Sequence, residues 1–353
     1  MSPENAQEDL AGEAFARETA EAGRFAAAGN KEQLEEKERR IVAFKFGGSS
    51  LLGAKRMLHA VGLVRSAAAT HRVAVVVSAM KGVTDQLLGL ARSIEAGRTQ
   101  RARGEAEAVL HRHMDVLCEL ELEENDALRV RRELESLGRD LLHEIPAARA
   151  KSGGALDSAV HDRLASFGER FCARLFAAAL EKSGVPAVPV TSSDFVITCE
   201  TFQNAKPDLE ETCRRGREIL LPLFEDGIVP VVTGFLGTTR DGRVTTLGRN
   251  SSDYSGAIIA HVVDADELVI WTDVDGVYTA NPNESGEALL LHELSYDEAH
   301  ALASSGAKVL HASVLPLAAE NGMVIWVRNT FRPEFRGTKI GPAAEKSNGR
   351  GAA

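Results

Sequence analysis

The sequence predicts an α/β protein in which helices cover both faces of a mostly parallel central sheet. Two short apolar runs, IVAFKF at 41–46 and VAVVVSAM at 73–80, are typical of strands buried on both faces. Stretches with helical periodicity follow each run, and strands that alternate with helices favour parallel pairing. We therefore expect a three-layer αβα sandwich, and the length of 353 residues leaves room for two lobes.

The first half of the chain contains two of the predicted strands and most of the predicted helical residues. Residues 1–40 are rich in Ala, Glu, Lys and Arg and have almost no large apolar side chains, so we expect a solvated helix or a disordered extension. The strand at 41–46 ends at Gly47-Gly48. Helices are then predicted near 55–69, from about Thr84, over 104–145 and from roughly 158 to 182.

The second half continues the alternation of strands and helices. Strands are predicted near 187–190 and 228–233, at ELVIWT (267–272) and at MVIWVRN (323–329), with helices near 296–305 and 313–321. The sequence RDGR at 240–243 is a hairpin signal. Residues 341–353, GPAAEKSNGRGAA, are expected to form a tail.

Composition and charge argue against several classes of function. The chain carries 41 Lys and Arg against 51 Asp and Glu, a net charge of −10, so we expect no nucleic-acid partner. Its four cysteines form no Cys-x-x-Cys pair, which argues against a disulfide framework or a zinc site. No apolar stretch approaches the roughly 18 residues that span a bilayer, and the acidic N-terminus does not resemble a signal peptide. We therefore expect a cytoplasmic protein without a membrane partner.

A glycine pair follows the first strand in the segment KFGGSS, residues 45–50. Glycines at this position let the backbone approach a ligand closely, and backbone amides there can bind phosphate oxygens. Lys45 at the strand end can neutralise charge on a phosphoryl group during its transfer. A simple turn is the alternative explanation. The sequence contains neither a GxxxxGK[ST] P-loop nor a GxGxxG motif, so any nucleotide site is of another kind.

The segment TLGRNSSDYSGAIIA, residues 246–260, predicts a helix whose N-terminus can bind an anion. Ser251, Ser252 and Asp253 open this helix, where the backbone amides suit a negative charge. Arg249 precedes it and can hold a carboxylate through two parallel hydrogen bonds. The alternative is that one of the two serines only caps the helix, a role that needs no ligand.

Two further segments carry candidate site residues. WTDVDGVYTANP, residues 271–282, follows a buried strand, and ligands of open α/β sheets bind beyond the carboxyl ends of strands. Asp273 and Asp275 in this loop can arrange a site or meet a cation, although Asp275-Gly276 also explains a turn. In SGAKVLHASVL, residues 305–315, Lys308 follows a glycine at a helix end, where a solvated lysine that interacts with the helix dipole is the alternative.

The chain resembles aspartokinases of the amino-acid kinase superfamily through six motifs that occur in the family's order. These are KFGGSS, SAMKGVTDQLL, SFGERF, TLGRNSSDYS, WTDVDGVYTANP and LSYDEAHALASSGAKVLH. The resemblance covers about 41–340, and the combination of motifs is specific. It implies the amino-acid kinase fold, with an N-lobe of about 41–225 that binds aspartate and a C-lobe of about 226–340 that binds ATP.

The resemblance also implies roles for individual residues. The catalytic residues would be Lys45, Asp253 and Lys308, with Asp253 acting through Lys45. ATP would be bound by Lys45, Phe46, Gly47, Gly48, Thr272, Asp273, Tyr278, Lys308 and Val309. L-Aspartate would be bound by Ser49, Thr84, Glu169, Arg249, Asn250, Ser251 and Ser252. In that arrangement Arg249 pairs with a carboxylate and Glu169 faces the ammonium.

The implied reaction, the first step of the pathway to lysine, threonine and methionine, explains these residue types. The acceptor is a carboxylate with a pKa near ~3.9, already ionised at neutral pH, so no general base is required. An anion must instead approach a polyphosphate, so we expect Lys45, Arg249 and Lys308 to converge with Mg²⁺ on the reacting groups. We expect ATP and Mg²⁺ as cofactors, no metal ligand from the protein, and direct transfer without a phosphoenzyme.

Several positions depart from the family pattern. Asn281-Pro282-Asn283 replaces a common Asp-Pro-Arg, and Asn250-Ser251 replaces Asn-Gly or Gly-Gly. A kinase for another carboxylate acceptor therefore stays open, and so does a non-catalytic amino-acid-binding subunit, which the retained lysines disfavour. Only 13 residues follow Ile340, so we expect no ACT effector domain and no inhibition by lysine or threonine. A homodimer would then form through the kinase domain itself.

Overall fold

An eight-stranded sheet forms the centre of the protein. The structure is a computed structural model that describes residues 39–151, 155–248, 251–280, 288–304, 310–311 and 313–343. At 147–151 and 304 it describes the main chain only. The strands are β1 (Ile41–Phe46), β2 (Arg72–Val77), β3 (Ala187–Val190), β4 (Val229–Thr233), β5 (Leu236–Thr238), β6 (Val244–Thr246), β7 (Glu267–Thr272), β8 (Val277–Tyr278), β9 (Leu290–Leu291), β10 (Glu293–Ser295), β11 (Val324–Asn329) and β12 (Thr338–Gly341). The helices are α1 (Ala54–Ala68), α2 (Val83–Glu95), α3 (Thr99–Glu119), α4 (Glu124–Lys151), α5 (Ser158–Ala165), α6 (Phe167–Lys182), α7 (Leu209–Glu225), α8 (Ser252–Val262), α9 (Tyr296–Ser304) and α10 (Val314–Asn321).

The sheet is mostly parallel, as the sequence predicts. Its strand order is β10-β12-β11-β7-β1-β2-β4-β3, and all neighbouring pairs are parallel except β11 with β12. Because β10 is parallel to β12, these two strands run against the other six. The hairpins β5-β6 and β8-β9 lie outside the sheet, and the predicted turn at 240–243 connects β5 to β6.

Helices cover both faces of the sheet, which confirms the predicted three-layer sandwich. Val42, Phe44 and Phe46 of β1 belong to a hydrophobic cluster with α1 to α6. Ala43 of the same strand belongs to a second cluster with α7 to α10. A strand buried on both faces consists almost entirely of apolar residues, so the apolar runs in the sequence identified these strands correctly. Within the described ranges, no helix combines the length and the apolar composition needed to cross a bilayer.

Two predicted helices are divided in the structure. The stretch 104–145 forms parts of α3 and α4, because the chain turns between them, where Glu121 has a φ of 50°. The helix predicted over 158–182 is divided at Ser166 into α5 and α6. Asp157 begins α5 by accepting a hydrogen bond from the Ala159 amide at 3.1 Å. A polar cap of this kind satisfies one of the amides that a helix N-terminus leaves unpaired.

Helix α7 is an element that the sequence pattern did not predict. It contains Gly216 and Pro222, residues that usually interrupt a helix. Packing explains the glycine, because a Cβ at position 216 would lie 2.7 Å from Cγ1 of Val262 on α8. The predicted N-terminal extension lies outside the described residues up to position 38, and the predicted tail begins within β12, which extends to Gly341.

The carboxyl ends of the parallel strands meet at one edge of the sheet. The residues that end these strands are Phe46 in β1, Val77 in β2, Val190 in β3, Thr233 in β4, Thr272 in β7 and Asn329 in β11. The loops that follow converge at this edge, where open α/β sheets bind their ligands. The fold therefore brings the motif at 45–50 close to the loops after β2 and β7.

Candidate active site

A cleft of about 550 Å³ opens at this edge, between the loops after β1 and β2 and the start of α8. Eight residues that the sequence analysis nominated line it: Lys45, Gly47, Gly48, Thr84, Glu169, Ser251, Ser252 and Asp253. A smaller cavity of about 250 Å³ lies at the amino edge of β1 to β4, beside Arg39, Arg65 and Arg72. Helices α1, α6 and α7 end there, and basic side chains offset the negative ends of helices, so this second cavity needs no ligand to explain its charge.

Lys45 and Asp253 form an ion pair in the cleft, with 2.6 Å between Lys45 Nζ and Asp253 Oδ1. The Lys45 side chain is 7% exposed and that of Asp253 is 21% exposed, so solvent ions screen the pair weakly. Helix α8 approaches β1 closely because residue 256 is a glycine, where a Cβ would lie 3.1 Å from Lys45 Cβ. The ammonium has three N–H donors and Asp253 occupies one, so it can also bind an anion.

Gly47 and Gly48 form a loop that packs against the loop after β2. The Gly47 amide donates to the Trp271 carbonyl at 3.2 Å, and the Lys81 amide donates to the Gly48 carbonyl at 3.0 Å. A Cβ at position 48 would lie 2.6 Å from the Ala79 carbonyl oxygen, which is closer than van der Waals contact allows. The contact between the two loops therefore requires glycine at position 48, whether or not a ligand is bound.

Glu169 is a buried carboxyl group in the wall of the cleft. It is 3% exposed, and its Oε1 accepts a hydrogen bond from the Ala79 amide at 3.0 Å. Its Oε2 has no hydrogen-bond partner in the part of the chain that the structure describes. Burial raises the pKa of Glu169 to about 8, while the hydrogen bond from Ala79 acts in the opposite direction. A cationic ligand would favour the ionised form and supply the missing partner.

Ser251, Ser252 and Asp253 stand at the N-terminus of α8, where the sequence predicts a helix start. Ser251 occupies the N-cap position, but its side chain makes no capping hydrogen bond, so Ser251 is not a simple cap. This residue is fully buried, and its Oγ has no partner among the described residues. The first-turn amides of a helix lack intrahelical partners, and together with the helix dipole they favour an anion at this point.

Six nominated residues lie outside the lining of this cleft: Phe46, Ser49, Thr272, Asp273, Asp275 and Tyr278. The side chain of Phe46 is fully buried and packs against Phe176, with 5.5 Å between ring centroids, so only its backbone is available to a ligand. The Ser49 carbonyl accepts a hydrogen bond from Arg56 Nη1 at 2.8 Å. Thr272 and Tyr278 belong to β7 and β8, on the other side of the glycine loop.

Asp275 joins two loops at the carboxyl edge of the sheet. Its Oδ1 accepts from Asn329 Nδ2 at 2.7 Å, and its Oδ2 accepts from Arg332 Nη1 at 2.5 Å. These contacts link the connection after β7 to the one after β11. Of the roles considered for Asp275, the contacts support arrangement of the loops and not the binding of a metal cation, since protein donors engage both oxygens.

The cleft also contains residues that the sequence analysis did not nominate, among them Lys81, His161, Asp162, Gln203 and Thr246. Lys81 and Thr246 lie in two of the quoted motifs, SAMKGVTDQLL and TLGRNSSDYS, but were given no role there. His161, Asp162 and Gln203 lie outside all six motifs. Asp162 had one signal in the sequence. It precedes Glu169 by seven residues, which is two helical turns and therefore the same side of a continuous helix.

Four nominated residues lie outside the described residues: Arg249, Asn250, Lys308 and Val309. The departure at Asn281-Pro282-Asn283 also lies outside them. The convergence of Lys45, Arg249 and Lys308 therefore stays a prediction. The described ranges contain no group of three or more His, Cys, Asp or Glu side chains placed to hold a metal ion.

The chain is similar to proteins of one family along most of its length. Residues 40–329 match the sequence model of the amino acid kinase family. Over 304 residues the chain is 31% identical to the lysine-sensitive aspartokinase 3 of Escherichia coli (strain K12), covering 85% of this chain and 64% of that protein. Over 332 residues it is 33% identical to the chloroplastic aspartokinase 3 of Arabidopsis thaliana, covering 92% and 58%.

Solved structures give the same result. The crystal structure of E. coli aspartokinase III in complex with aspartate and ADP superposes with a TM-score of 0.78 at 31% identity, over 87% of this chain and 65% of that one. The aspartate kinase from Synechocystis superposes with a TM-score of 0.59 at 27% identity, over 85% and 40%. The chain thus spans less than two thirds of the length of each of these relatives.

Replacement of Gly48 tests the contact between the two loops. We expect Gly48→Ala to lower the free energy of unfolding by about 1–3 kcal/mol, because the added Cβ would overlap the Ala79 carbonyl oxygen. Gly62→Ala is the matched control. Gly62 lies in α1 and a Cβ there meets no atom within 4 Å, so that variant should gain about 0.5–1 kcal/mol. Urea denaturation measures both, and equal effects would contradict the steric argument.

The raised pKa of Glu169 predicts a pH dependence of stability. Between the ordinary value of 4.5 and about 8, the unfolded chain releases this proton while the folded, ligand-free protein retains it. The contribution of Glu169 therefore makes stability fall as the pH rises through this window. We expect Glu169→Gln to be more stable, relative to wild type, at pH 8 than at pH 5, as measured by urea denaturation.

Glu298→Gln is the control for this experiment. Glu298 is an exposed carboxylate, and hydrogen bonds from Ser295 lower its pKa, so its replacement should not reproduce the difference. A Glu169→Gln variant whose stability relative to wild type is the same at both pH values would show that Glu169 is already ionised in the free protein.

Proposed function

The chain belongs to the amino acid kinase family, and from that membership we propose that it transfers the γ-phosphoryl group of ATP to the side-chain carboxylate of L-aspartate. One observation carries the proposal. The ion pair of buried Lys45 with Asp253 shares a cleft with the glycine loop, the N-terminus of α8 and Glu169, whose Oε2 has no partner among the described residues. Such a cleft suits two anions and one ammonium, which aspartate and ATP supply. The E. coli relative crystallised with aspartate and ADP supports the same pair of ligands.

The chemistry of the acceptor needs charge stabilisation more than proton transfer. A carboxylate with a pKa near ~3.9 is ionised at neutral pH and can attack phosphorus directly. The barrier arises because this anion must approach the negatively charged γ-phosphoryl group. Fixed donors reduce that repulsion, and Lys45 is such a donor because Asp253 holds its ammonium in place. The product is the acyl phosphate 4-phospho-L-aspartate.

Glu169 is the proposed partner of the substrate's α-ammonium. Its unpartnered Oε2 would accept a hydrogen bond from this group, and the approaching positive charge would lower the pKa of Glu169 from about 8. Thr84 lines the same cleft at the first turn of α2. We assign the substrate carboxylates to the segment Arg249–Ser252 and to Ser49, as the family resemblance implies.

The phosphate groups are proposed to bind at the loop after β1. The Gly47 amide is engaged by the Trp271 carbonyl, so it is not the donor. The amides of Gly48 and Ser49 have no hydrogen-bond partner in the described part of the chain and can bind phosphate oxygens. We propose that the nucleotide extends from there toward Thr272, Asp273 and Tyr278, with the backbone of Phe46, Lys308 and Val309 completing its site.

Mg²⁺ fits this arrangement as a partner of ATP. In phosphoryl-transfer sites Mg²⁺ is usually held by substrate phosphates and one or two carboxylates, not by an all-protein cage. Such a site needs no cluster of three protein ligands, and none occurs among the described residues. The bound ion would neutralise phosphate charge. We assign no side chain of this protein as its ligand.

Two alternatives differ from this proposal in their products. A kinase for another carboxylate acceptor would use the same nucleotide site with a different substrate, and the changed positions 250, 251 and 283 keep this alternative open. A non-catalytic amino-acid-binding subunit would form no acyl phosphate. The presence of Lys45 and Asp253 as a paired, buried unit favours an enzyme, because a binding module has no evident need for it.

The proposed product has a place in amino-acid biosynthesis. Several relatives carry the name bifunctional aspartokinase/homoserine dehydrogenase, such as two from Zea mays that are 31% and 32% identical to this chain. These proteins join an aspartokinase to a second enzyme, homoserine dehydrogenase, which supports a role in amino-acid biosynthesis. We assign the reaction to the pathway to lysine, threonine and methionine because the family resemblance implies it. The homodimer expected from the sequence stays a prediction.

Trapping of the acyl phosphate tests the proposed reaction. With ATP, Mg²⁺, L-aspartate and hydroxylamine, we expect the wild-type protein to form aspartyl hydroxamate. Lys45→Ala should lower kcat by about 10²–10³, because it removes a donor to the transferring group. Lys55→Ala, at an exposed lysine on α1, is the matched control and should leave turnover unchanged.

Three results, from this assay together with measurements of aspartate binding and rapid quench, would contradict the proposal. Hydroxamate formed only from another carboxylic acid would establish the alternative kinase. No hydroxamate from any acceptor, together with binding of aspartate, would favour the non-catalytic subunit. A covalent phosphoenzyme detected by rapid quench would exclude direct transfer.

A further inference from the structure

Asp162 is the second buried carboxyl group of the cleft, and the proposed reaction leaves it without a role. It lies on α5 and is 1% exposed. Its Oδ2 accepts hydrogen bonds from the amides of Gln203 and Thr246, each at 2.8 Å, and its Oδ1 accepts one from Thr246 Oγ1 at 2.7 Å. Both partners also line the cleft. One side chain thus holds two segments of the cleft wall that lie about 40 residues apart in sequence.

Asp162 differs from Glu169 because protein donors already engage both of its carboxylate oxygens. The two residues are seven positions apart, and Ser166 between α5 and α6 keeps helical dihedrals of −61° and −24°. Seven helical residues rise on the order of 10 Å. The Cα atoms of the two residues are therefore separated by about this distance along the helix, and Asp162 engages the wall at Gln203 and Thr246. The three hydrogen bonds that Asp162 accepts from the protein indicate a structural role and not a contact with substrate.

The segments that Asp162 holds lead directly to the start of α8. Gln203 has a φ of +66°, an uncommon conformation for a residue other than glycine, and its amide donates to Asp162. The next residue, Asn204, packs on Gly248, where a Cβ would lie 2.9 Å from Asn204 Oδ1. The Gly248 carbonyl in turn accepts from the Ser251 amide at 3.3 Å. A continuous set of contacts thus connects Asp162 with the residue that begins α8.

We propose that Asp162 is a positioning residue, which fixes the loop at Gln203 and the end of β6 at Thr246 so that the start of α8 faces Glu169 at the distance the acceptor requires. The kinetic part of this inference rests on the proposed function, whereas the structural part does not. The start of α8 also holds Asp253, the partner of Lys45. Loss of Asp162 would therefore displace the acceptor relative to the transferring group.

The hydrogen-bond geometry of Asp162 matters more in this role than its charge. Burial raises the pKa of Asp162, while its hydrogen bonds to Gln203 and Thr246 lower it, and no lysine or arginine contributes to that balance. An asparagine can satisfy the same partners. Its carbonyl oxygen can accept from both amides, and its NH₂ group can donate to the Thr246 hydroxyl, which serves as donor or acceptor. An alanine satisfies none of them.

Steady-state kinetics of Asp162→Ala and Asp162→Asn test the inference. We expect Asp162→Ala to raise KM for L-aspartate by about tenfold or more and to lower kcat, because the start of α8 also carries Asp253, the partner of Lys45. KM for ATP should change less, because Trp271 and Lys81, and not Asp162, hold the glycine loop. Asp162→Asn should retain a KM near the wild-type value. Asp157→Ala is the matched control on the same helix. It removes the cap of α5 but no contact of the cleft, so it should lower stability without raising KM.

Hydrogen–deuterium exchange tests the same inference without any substrate. In wild type we expect slow exchange at the amides of Gln203 and Thr246, since Asp162 accepts from both. Asp162→Ala should increase the exchange rate at these two amides selectively. Asp162→Asn and Asp157→Ala should leave their exchange as slow as in wild type. A wild-type protein that does not phosphorylate aspartate would refute the proposed function, yet the exchange result would still decide the role of Asp162.

Two outcomes would overturn the proposal. Unchanged exchange at both amides in Asp162→Ala would show that Asp162 does not hold these segments. An Asp162→Asn variant with a KM for aspartate as high as that of Asp162→Ala would show that the negative charge acts on the substrate itself.

Discussion

The buried ion pair between Lys45 and Asp253 is the contact on which the rest of the site depends. It joins the end of the first strand to the start of a helix that lies more than 200 residues later in the sequence. Removal of Asp253 would leave the Lys45 ammonium, which is 7% exposed, without its partner, and an unpaired buried charge is strongly destabilising. The close approach needs Gly256, since a larger residue would meet the stem of Lys45. One interaction therefore fixes both the strand end and the helix N-terminus around the cleft.

The two edges of the parallel sheet differ in their electrostatics for a reason built into the fold. At the carboxyl edge α8 begins, so its unpaired amides and the Lys45 ammonium present positive charge to a ligand. At the amino edge α1, α6 and α7 end, and Arg39, Arg65 and Arg72 face their negative ends. A chain with a net charge of −10 can thus accommodate anionic ligands, because the local arrangement and not the total charge sets the field in the cleft.

The two buried carboxyl groups in the cleft, Glu169 and Asp162, differ in how completely the protein satisfies their hydrogen bonds. Glu169 has one oxygen without a partner among the described residues and a pKa raised to about 8, so it destabilises the free protein and suits a cationic ligand. Asp162 is as deeply buried, but three donors satisfy it and connect separate parts of the wall. The first group has an oxygen available to a ligand at the expense of stability, a combination that residues in functional sites often show. The second stabilises the wall of the cleft.

The sequence by itself determined the fold class, most strands and helices, and the residues near the two ends of the ion pair. Apolar runs such as VAVVV and the glycines after β1 have local causes, because burial on both faces and tight turns restrict residue type directly. Only the tertiary structure showed why position 48 requires glycine and that the Ser251 side chain makes no capping hydrogen bond. It also showed that hydrogen bonds join Asp162, Gln203 and Thr246 in one wall of the cleft. The structure also revealed α7, which the sequence pattern did not predict and whose Gly216 packs against α8. These features depend on contacts between segments far apart in the chain, which no local pattern encodes.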